Sequence, residues 1–270
     1  MRPTRILVVD DSVVARRVIS DILSDEGDFE VVGTAPNGKI ALAKIERLDP
    51  DLVTLDIDMP ELDGIATLGA IRSSFPRVRV IMVSNHTKRG ASITVEALFL
   101  GASDYVTKAA RSSTRDGARQ NLREQLVPKI RALSISTTSD RSSVQAKARR
   151  ARLRGTAAVP IEVVVIGAST GGPNALTTVL GALPADFPAP VLIVQHLPAN
   201  FTTFFAQRLD AACSLAVVEA NNRDGISPGT VYIAPGNLHL GNLAIGIKEL
   251  LDLARIDIFT TGDNYVFFAV

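Results

Sequence analysis

The sequence predicts two consecutive α/β domains: a flavodoxin-like doubly wound sheet over residues 1–133, then a Rossmann-like parallel sheet over 160–270 that is incomplete. Three observations carry this prediction. Apolar, β-branched runs alternate with amphipathic stretches five times before residue 133, the segment 134–159 breaks the pattern, and the alternation resumes at Ile161.

In the first domain the runs are ILVVD, FEVVGTA, LVTLD, VRVIMVS and ASDYVTK, with helical patterns expected over 12–23, 39–48, 65–73, 92–100 and 115–133. Five βα units imply a parallel sheet with helices on both faces. Polar residues then collect where the strands end: Asp10 and Asp11, Asp56, Ser84 and Lys108. The carboxyl edge is where ligands bind in open α/β sheets. A single aspartate there reads as a helix cap; agreement at four strand ends reads as a site. Crowded carboxylates suit Mg²⁺, which takes hard oxygen ligands and keeps several waters. Asp56 can then attack phosphorus while Mg²⁺ and the Lys108 ammonium neutralise the phosphoryl charge, and Ser84 can donate to the new phosphoryl oxygens.

The segment 134–159 is rich in Ser, Thr, Ala and Arg and has too few large apolar residues to order itself. Its basic cluster, Lys147, Arg149, Arg150, Arg152 and Arg154, has no interleaved aromatics and reads as a solvated linker rather than a nucleic-acid site.

The second domain opens with IEVVVIGASTGGP over 161–173, a buried strand that runs into a glycine turn and a helix expected over 174–183. Gly167, Ser169 and Gly171 have the G-x-S-x-G spacing that lets a serine hydroxyl project from a cramped strand-to-helix turn. Glycines after a first strand also serve a phosphate or helix packing, so the spacing leaves both readings open. The next strand, PVLIVQ, ends at His196. Neighbouring parallel strands lie about 4.8 Å apart, so residues just past their ends can meet. A nucleotide-binding oxidoreductase holding NAD would want Asp or Glu where His196 stands. A helix over 200–209 and strands over 215–219 and 230–234 complete the expected elements.

Composition sets the outer bounds. The 270 residues, 46% hydrophobic, suffice for two cores, and 29 basic against 28 acidic residues leave +1, so no whole-chain field draws it to nucleic acid. Cys213 is the only cysteine, which excludes an intrachain disulfide and suits a reducing compartment. The amino-terminal apolar run is too short for a signal peptide and no stretch reaches the roughly 18 apolar residues of a spanning helix, so a cytoplasmic location without membrane insertion is expected.

Through VVDDS, LDIDMPELDG, VSNHT and GASDYVTK, residues 1–133 resemble the receiver domain of two-component response regulators. The resemblance implies that Asp56 is the phosphoryl acceptor and that Asp11, Asp56 and the Asp58 carbonyl ligate Mg²⁺ with Asp10 in support. It also implies that Ser84 and Lys108 sense the phosphoryl group and that Tyr105 is the aromatic that moves with them. Ala109 stands where that family usually has proline. Through IGASTGGP, QHLPANFTTFFAQRLD and DGISPGTVYIAPGNLHL, the second domain is similar to the catalytic domain of chemotaxis protein-glutamate methylesterases.

That second resemblance implies attack by Ser169 on receptor glutamate γ-methyl esters with His196 as general base and no cofactor in the esterase site; some members also deamidate receptor glutamines. Implied partners are a chemotaxis histidine kinase as phosphodonor and methylated chemoreceptor cytoplasmic domains as substrate. The agreement stops near Leu240. The family's G-M-G-x-D-G turn, which carries its third triad member, is not present, and of Asp252, Asp257 and Asp263 the last is the nearest echo. An incomplete sheet with an exposed apolar edge is therefore expected, and a phosphorylatable binding module is the alternative to an esterase.

Overall fold

The structure is a computed structural model that describes residues 2–85, 88–108, 115–135, 161–221, 225–236, 256–261 and 264–269. It divides into two compact units, Met1–Arg131 and Ala132–Val270. The basic cluster from Lys147 to Arg154, Ala109, Asp252 and Asp263 lie outside the described residues.

In the first unit, β1 (Thr4–Val9), α1 (Val13–Ser24), β2 (Phe29–Ala35), α2 (Gly38–Leu48), β3 (Leu52–Asp56), α3 (Gly64–Ser74), β4 (Arg79–Asn85), α4 (Lys88–Phe99), β5 (Asp104–Lys108) and α5 (Arg115–Ile135) alternate along the chain. The strands form one sheet in the order β2-β1-β3-β4-β5, every pair parallel. Ile6, Leu7, Val8 and Val9 are fully buried, as strands covered on both faces require. Ser12, Asn37 and Asp63 cap α1, α2 and α3 by accepting from the amides of Ala15, Ile40 and Ala66. The strand order reverses between β1 and β3, which opens the crevice at their carboxyl ends, the place where such sheets bind ligands. Asp10 and Asp56 stand at that crevice.

The second unit holds β6 (Val163–Ala168), α6 (Gly172–Gly181), β7 (Val191–Gln195), α7 (Ala199–Ala212), β8 (Ala216–Glu219), β9 (Thr230–Ile233), β10 (Ile256–Thr261) and β11 (Asn264–Ala269). Its sheet runs β10-β11-β6-β7-β9-β8. The four strands β6, β7, β9 and β8 are mutually parallel, with Val163, Val165, Leu192 and Tyr232 in one core cluster and Phe201 and Phe205 of α7 fully buried. Helix α6 begins earlier than its apolar pattern suggests because Pro173 enters in the first turn, where an amide hydrogen has no intrahelical partner.

The expectation of a bare apolar edge is corrected at β6. The tail supplies a hairpin whose second strand lies antiparallel to β6, with Phe267 opposite Val165 and Tyr265 opposite Gly167. The run NYVFFA is aromatic and β-branched, so it suits a strand, and pairing it satisfies the open ladder of β6. The sheet is therefore mixed at this end rather than wholly parallel.

Candidate functional site

The carboxyl edge of the first sheet gathers opposite charges out of water. Asp10, just past β1, is 0% exposed, and Asp56, the last residue of β3, is 2% exposed, whereas Asp11 is on the surface. Lys108, which ends β5, places its Nζ 2.9 Å from Asp10 Oδ2 and 2.9 Å from Asp56 Oδ1. The Ser12 amide donates to Asp10 Oδ1 at 2.9 Å and fixes the other oxygen toward the lysine. Burial pushes the Asp56 carboxyl up to about 6 despite the pairing with Lys108. For Lys108 burial works in the opposite sense, and the two carboxylates overcome it and hold the ammonium above its ordinary value.

Carboxylate oxygens of Asp10, Asp11 and Asp56 all lie within 4.8 Å of one another. Opposed ligands of an octahedral Mg²⁺ are roughly 4.2 Å apart, from its ligand distance of about 2.1 Å, so these oxygens need move only a little to share one ion. The donor set, all hard oxygen, fits Mg²⁺. Asp58 is exposed and lines a cleft of about 310 Å³ beside this edge with Ile57, Met59, Asp63, Ile65 and Ile93. The loop from Ile57 folds back so tightly that a Cβ on Gly64 would stand 2.2 Å from the Asp56 carbonyl oxygen. Gly64 donates from its amide to Ile57 O at 2.9 Å, which closes that loop.

Ser84 is buried on β4 opposite Thr107, one residue before Lys108, with its hydroxyl 3.4 Å from Gly90 O. Tyr105 is buried on β5, and burial raises its phenol above the ordinary range. Two residues of α5, four apart on one helix face, hold this strand. Gln125 pairs with the Thr107 backbone and hydroxyl, and Lys129 reaches Tyr105 O at 2.7 Å and Asp104 Oδ1 at 2.8 Å with Nζ 4.6 Å from the Tyr105 ring centre. Sequence reasoning did not single out Gln125 or Lys129. Their i, i+4 spacing was visible, but their partners lie 18 to 25 residues away.

In the second unit, Ser169 follows the last residue of β6 and His196 the last of β7. The strands run parallel with Ala168 opposite Gln195, and the ladder continues one bond further, His196 N donating to Ala168 O at 3.0 Å. Ser169, half-buried, and His196, exposed, therefore leave adjacent strands at one sheet rim. The Gly172 amide donates to Ser169 O at 2.8 Å, and Gly171 has φ 75° and ψ −4°, values of the second central residue of a type II turn, where glycine is favoured. The opening of α6 directs backbone amides toward this turn.

Below His196, α7 is braced by Thr202, whose buried hydroxyl lies 2.5 Å from Glu219 Oε1 and accepts from Gly236 N at 3.1 Å, and by Thr203, which donates to Glu219 Oε2 at 2.6 Å. A serine and a histidine that leave neighbouring strands at one rim, next to the opening of a helix, are residue types suited to nucleophilic acyl transfer. Asp257 does not join this rim. It pairs in register with Phe268, which pairs with Val164, five residues before Ser169, or about 16 Å along a strand.

Two family models match the chain: one described as the response regulator receiver domain over residues 6–115 and one as CheB methylesterase over residues 164–259. A protein-glutamate methylesterase/protein-glutamine glutaminase of Trichodesmium erythraeum (strain IMS101) is 47% identical over 240 residues, which cover 87% of this chain and 68% of that one. Proteins of the same name from Nocardioides sp. (strain ATCC BAA-499 / JS614) and Thermotoga maritima are 47% and 44% identical, over 87% and 95% of this chain and 66% and 73% of theirs.

Proposed function

Because the chain belongs to the family of protein-glutamate methylesterases/protein-glutamine glutaminases that join a receiver to a CheB methylesterase domain, we propose that it hydrolyses glutamate γ-methyl esters on chemoreceptor cytoplasmic domains under control of phosphorylation at Asp56. The observation that carries the esterase half is the His196 N to Ala168 O bond, which ties the residue after Ala168 and the imidazole residue to one rim.

Ser169 Oγ attacks the ester carbonyl carbon as His196 takes the hydroxyl proton. The tetrahedral oxyanion faces amides at the opening of α6, and collapse breaks the carbon–methoxy bond as His196 returns the proton to give methanol. Water, deprotonated by His196, then attacks the acyl carbon, and the Ser169 oxygen leaves with the proton, freeing a glutamate carboxylate. With a glutamine side chain the same route expels ammonia.

In the receiver half, Asp56 accepts a phosphoryl group from a chemotaxis histidine kinase. With its carboxyl near 6, the ionised form predominates at pH 7 and can act as a nucleophile. Asp10, Asp11 and Asp56 would hold Mg²⁺, with the Asp58 carbonyl completing the protein ligands; when bound, the ion neutralises charge on the transferring phosphoryl oxygens. Lys108 pairs with the phosphoryl group in place of Asp56, and Ser84 and Tyr105 follow that change. The esterase site uses no cofactor, and the reaction takes place in the cytoplasm.

Methanol release from methylated receptor tests both halves. Ser169→Ala should remove it, by analogy with a nucleophile loss of roughly 10⁶-fold, and phosphodonor with Mg²⁺ should accelerate the wild type but not Asp56→Asn. A second reading, a phosphorylatable binding module, is favoured by the position of Asp257 away from the Ser169 rim. Equal methanol release by wild type and Ser169→Ala would select it.

A further inference from the structure

We propose that Gln195 is a positioning residue for the Ser169 nucleophile, holding the serine turn through its side-chain amide without touching the reacting atoms. The inference rests on the hydrolase reading of Ser169. Its structural basis is a second donor on one carbonyl. Ser169 O accepts from the Gly172 amide at 2.8 Å, the bond that closes the turn, and also from Gln195 Nε2 at 3.0 Å. The second donor comes from the strand that carries the imidazole. Gln195 immediately precedes His196, and the His196 amide bonds to Ala168, the residue before Ser169. Two successive peptide units of the serine strand are thus tied to two successive residues of the histidine strand, one by backbone and one by a side chain. Fixing the Ser169 carbonyl fixes the peptide plane from which the serine side chain departs.

The other half of the Gln195 amide shows what the residue is for. The side chain is 5% exposed, and Oε1 is buried with no hydrogen-bond partner among the described residues. That oxygen faces Gly172, where a Cβ would stand only 2.1 Å away. A buried acceptor left unpaired costs stability, and an apolar side chain of the same size would avoid the cost. The position nevertheless carries an amide, and among the described residues the bond that this amide makes is the one to Ser169 O. Glycine at 172 follows from this crowding, because a Cβ there would press on the Gln195 amide and also stand 2.8 Å from Ala168 Cβ.

The test is Gln195→Met in the full chain, which keeps length and bulk and removes the donor. Amide hydrogen exchange over 169–172 should rise while β6, β7 and the first unit keep their protection, and the thermal midpoint should stay or increase. In methanol release from methylated receptor, kcat should fall by roughly 10²-fold, the effect of a misplacement of about 1 Å at a reacting group, with KM unchanged. Gly172→Ala, which presses on the amide from the other side, should give the same local rise in exchange.

Wild-type exchange at 169–172 in both variants would overturn the proposal, and so would a lower thermal midpoint in Gln195→Met with no change in kcat. If the wild-type chain releases no more methanol than Ser169→Ala, the hydrolase reading fails separately, and the exchange measurement alone decides whether Gln195 holds the turn.

Discussion

The two sheets each place a candidate reactive residue at a carboxyl edge, and they hold it by different physics. In the first unit Asp56 is held by charge: a half-buried lysine stands 2.9 Å from each of two buried carboxylates. In the second unit the backbone at Ser169 and His196 is tied by neutral bonds: His196 N to Ala168 O, Gly172 N to Ser169 O, and the Gln195 amide to Ser169 O. A site made of buried charge resists being left half-paired, so its chemistry and its stability move together. A site made of backbone and amide bonds can lose rate while the fold stands. Receiving a phosphoryl group, which changes the local charge, suits the first kind of construction; repeated acyl transfer, which returns to the same charge, suits the second.

The largest expected effect at the charged edge is that of Lys108→Met. It leaves Asp10 and Asp56 facing each other without their cation, a change worth about 3–5 kcal/mol of stability at pH 7. Calorimetry should find the first-unit transition lowered, with part of the loss recovered by Mg²⁺ or by acidification, because without the ammonium burial pushes the Asp56 carboxyl up further and it takes up a proton more readily. Full stability at pH 7 in EDTA would break the contrast between the two edges.

Asp56→Asn should act in the opposite direction. The Asp56 carboxyl rises from 3.8 to about 6 on folding, so the folded chain holds that proton more tightly than the unfolded one. Its contribution is full below about pH 4 and is lost as pH rises through about 6. At pH 7 without metal, the asparagine variant should therefore be more stable than wild type by about 2–3 kcal/mol, at roughly 1.4 kcal/mol per pKa unit. The gap should close toward pH 4. Denaturant titration across that range checks both the sign and the window.

A smaller effect is expected from Lys129→Met, which takes the ammonium from buried Asp104 and from the Tyr105 ring. A loss of about 1–3 kcal/mol is expected for a buried acceptor deprived of its partner. Nuclear magnetic resonance of the Tyr105 ring should show it reorienting more freely, which sharpens the picture of α5 as the element that grips β5.

What could be read from the chain without coordinates was chiefly strand ends. ILVVD, LVTLD and DYVTK each finish on the residue that meets the others at the edge, because in a parallel sheet the last residue of a buried run is also the first that can face a ligand. The places of Ser169 and His196 just past two neighbouring strands were legible for the same reason. Gln195 was not, because a polar residue ending an apolar run looks like a strand terminus, and its role depends on a carbonyl 26 residues earlier. Lys129 and Gln125 were hidden in an ordinary helical pattern. The hairpin of β10 and β11 was missed because the tail departs from the family motifs, and the place of Asp257 needed strand register rather than spacing.

The hydroxyl and imidazole can be tested together by labelling the full chain with a fluorophosphonate and locating the adduct by peptide mass spectrometry. The account predicts one adduct, on Ser169, whose formation is lost in His196→Gln and slowed in Gln195→Met. An unlabelled Ser169 in the wild type, or equal labelling in His196→Gln, would contradict it.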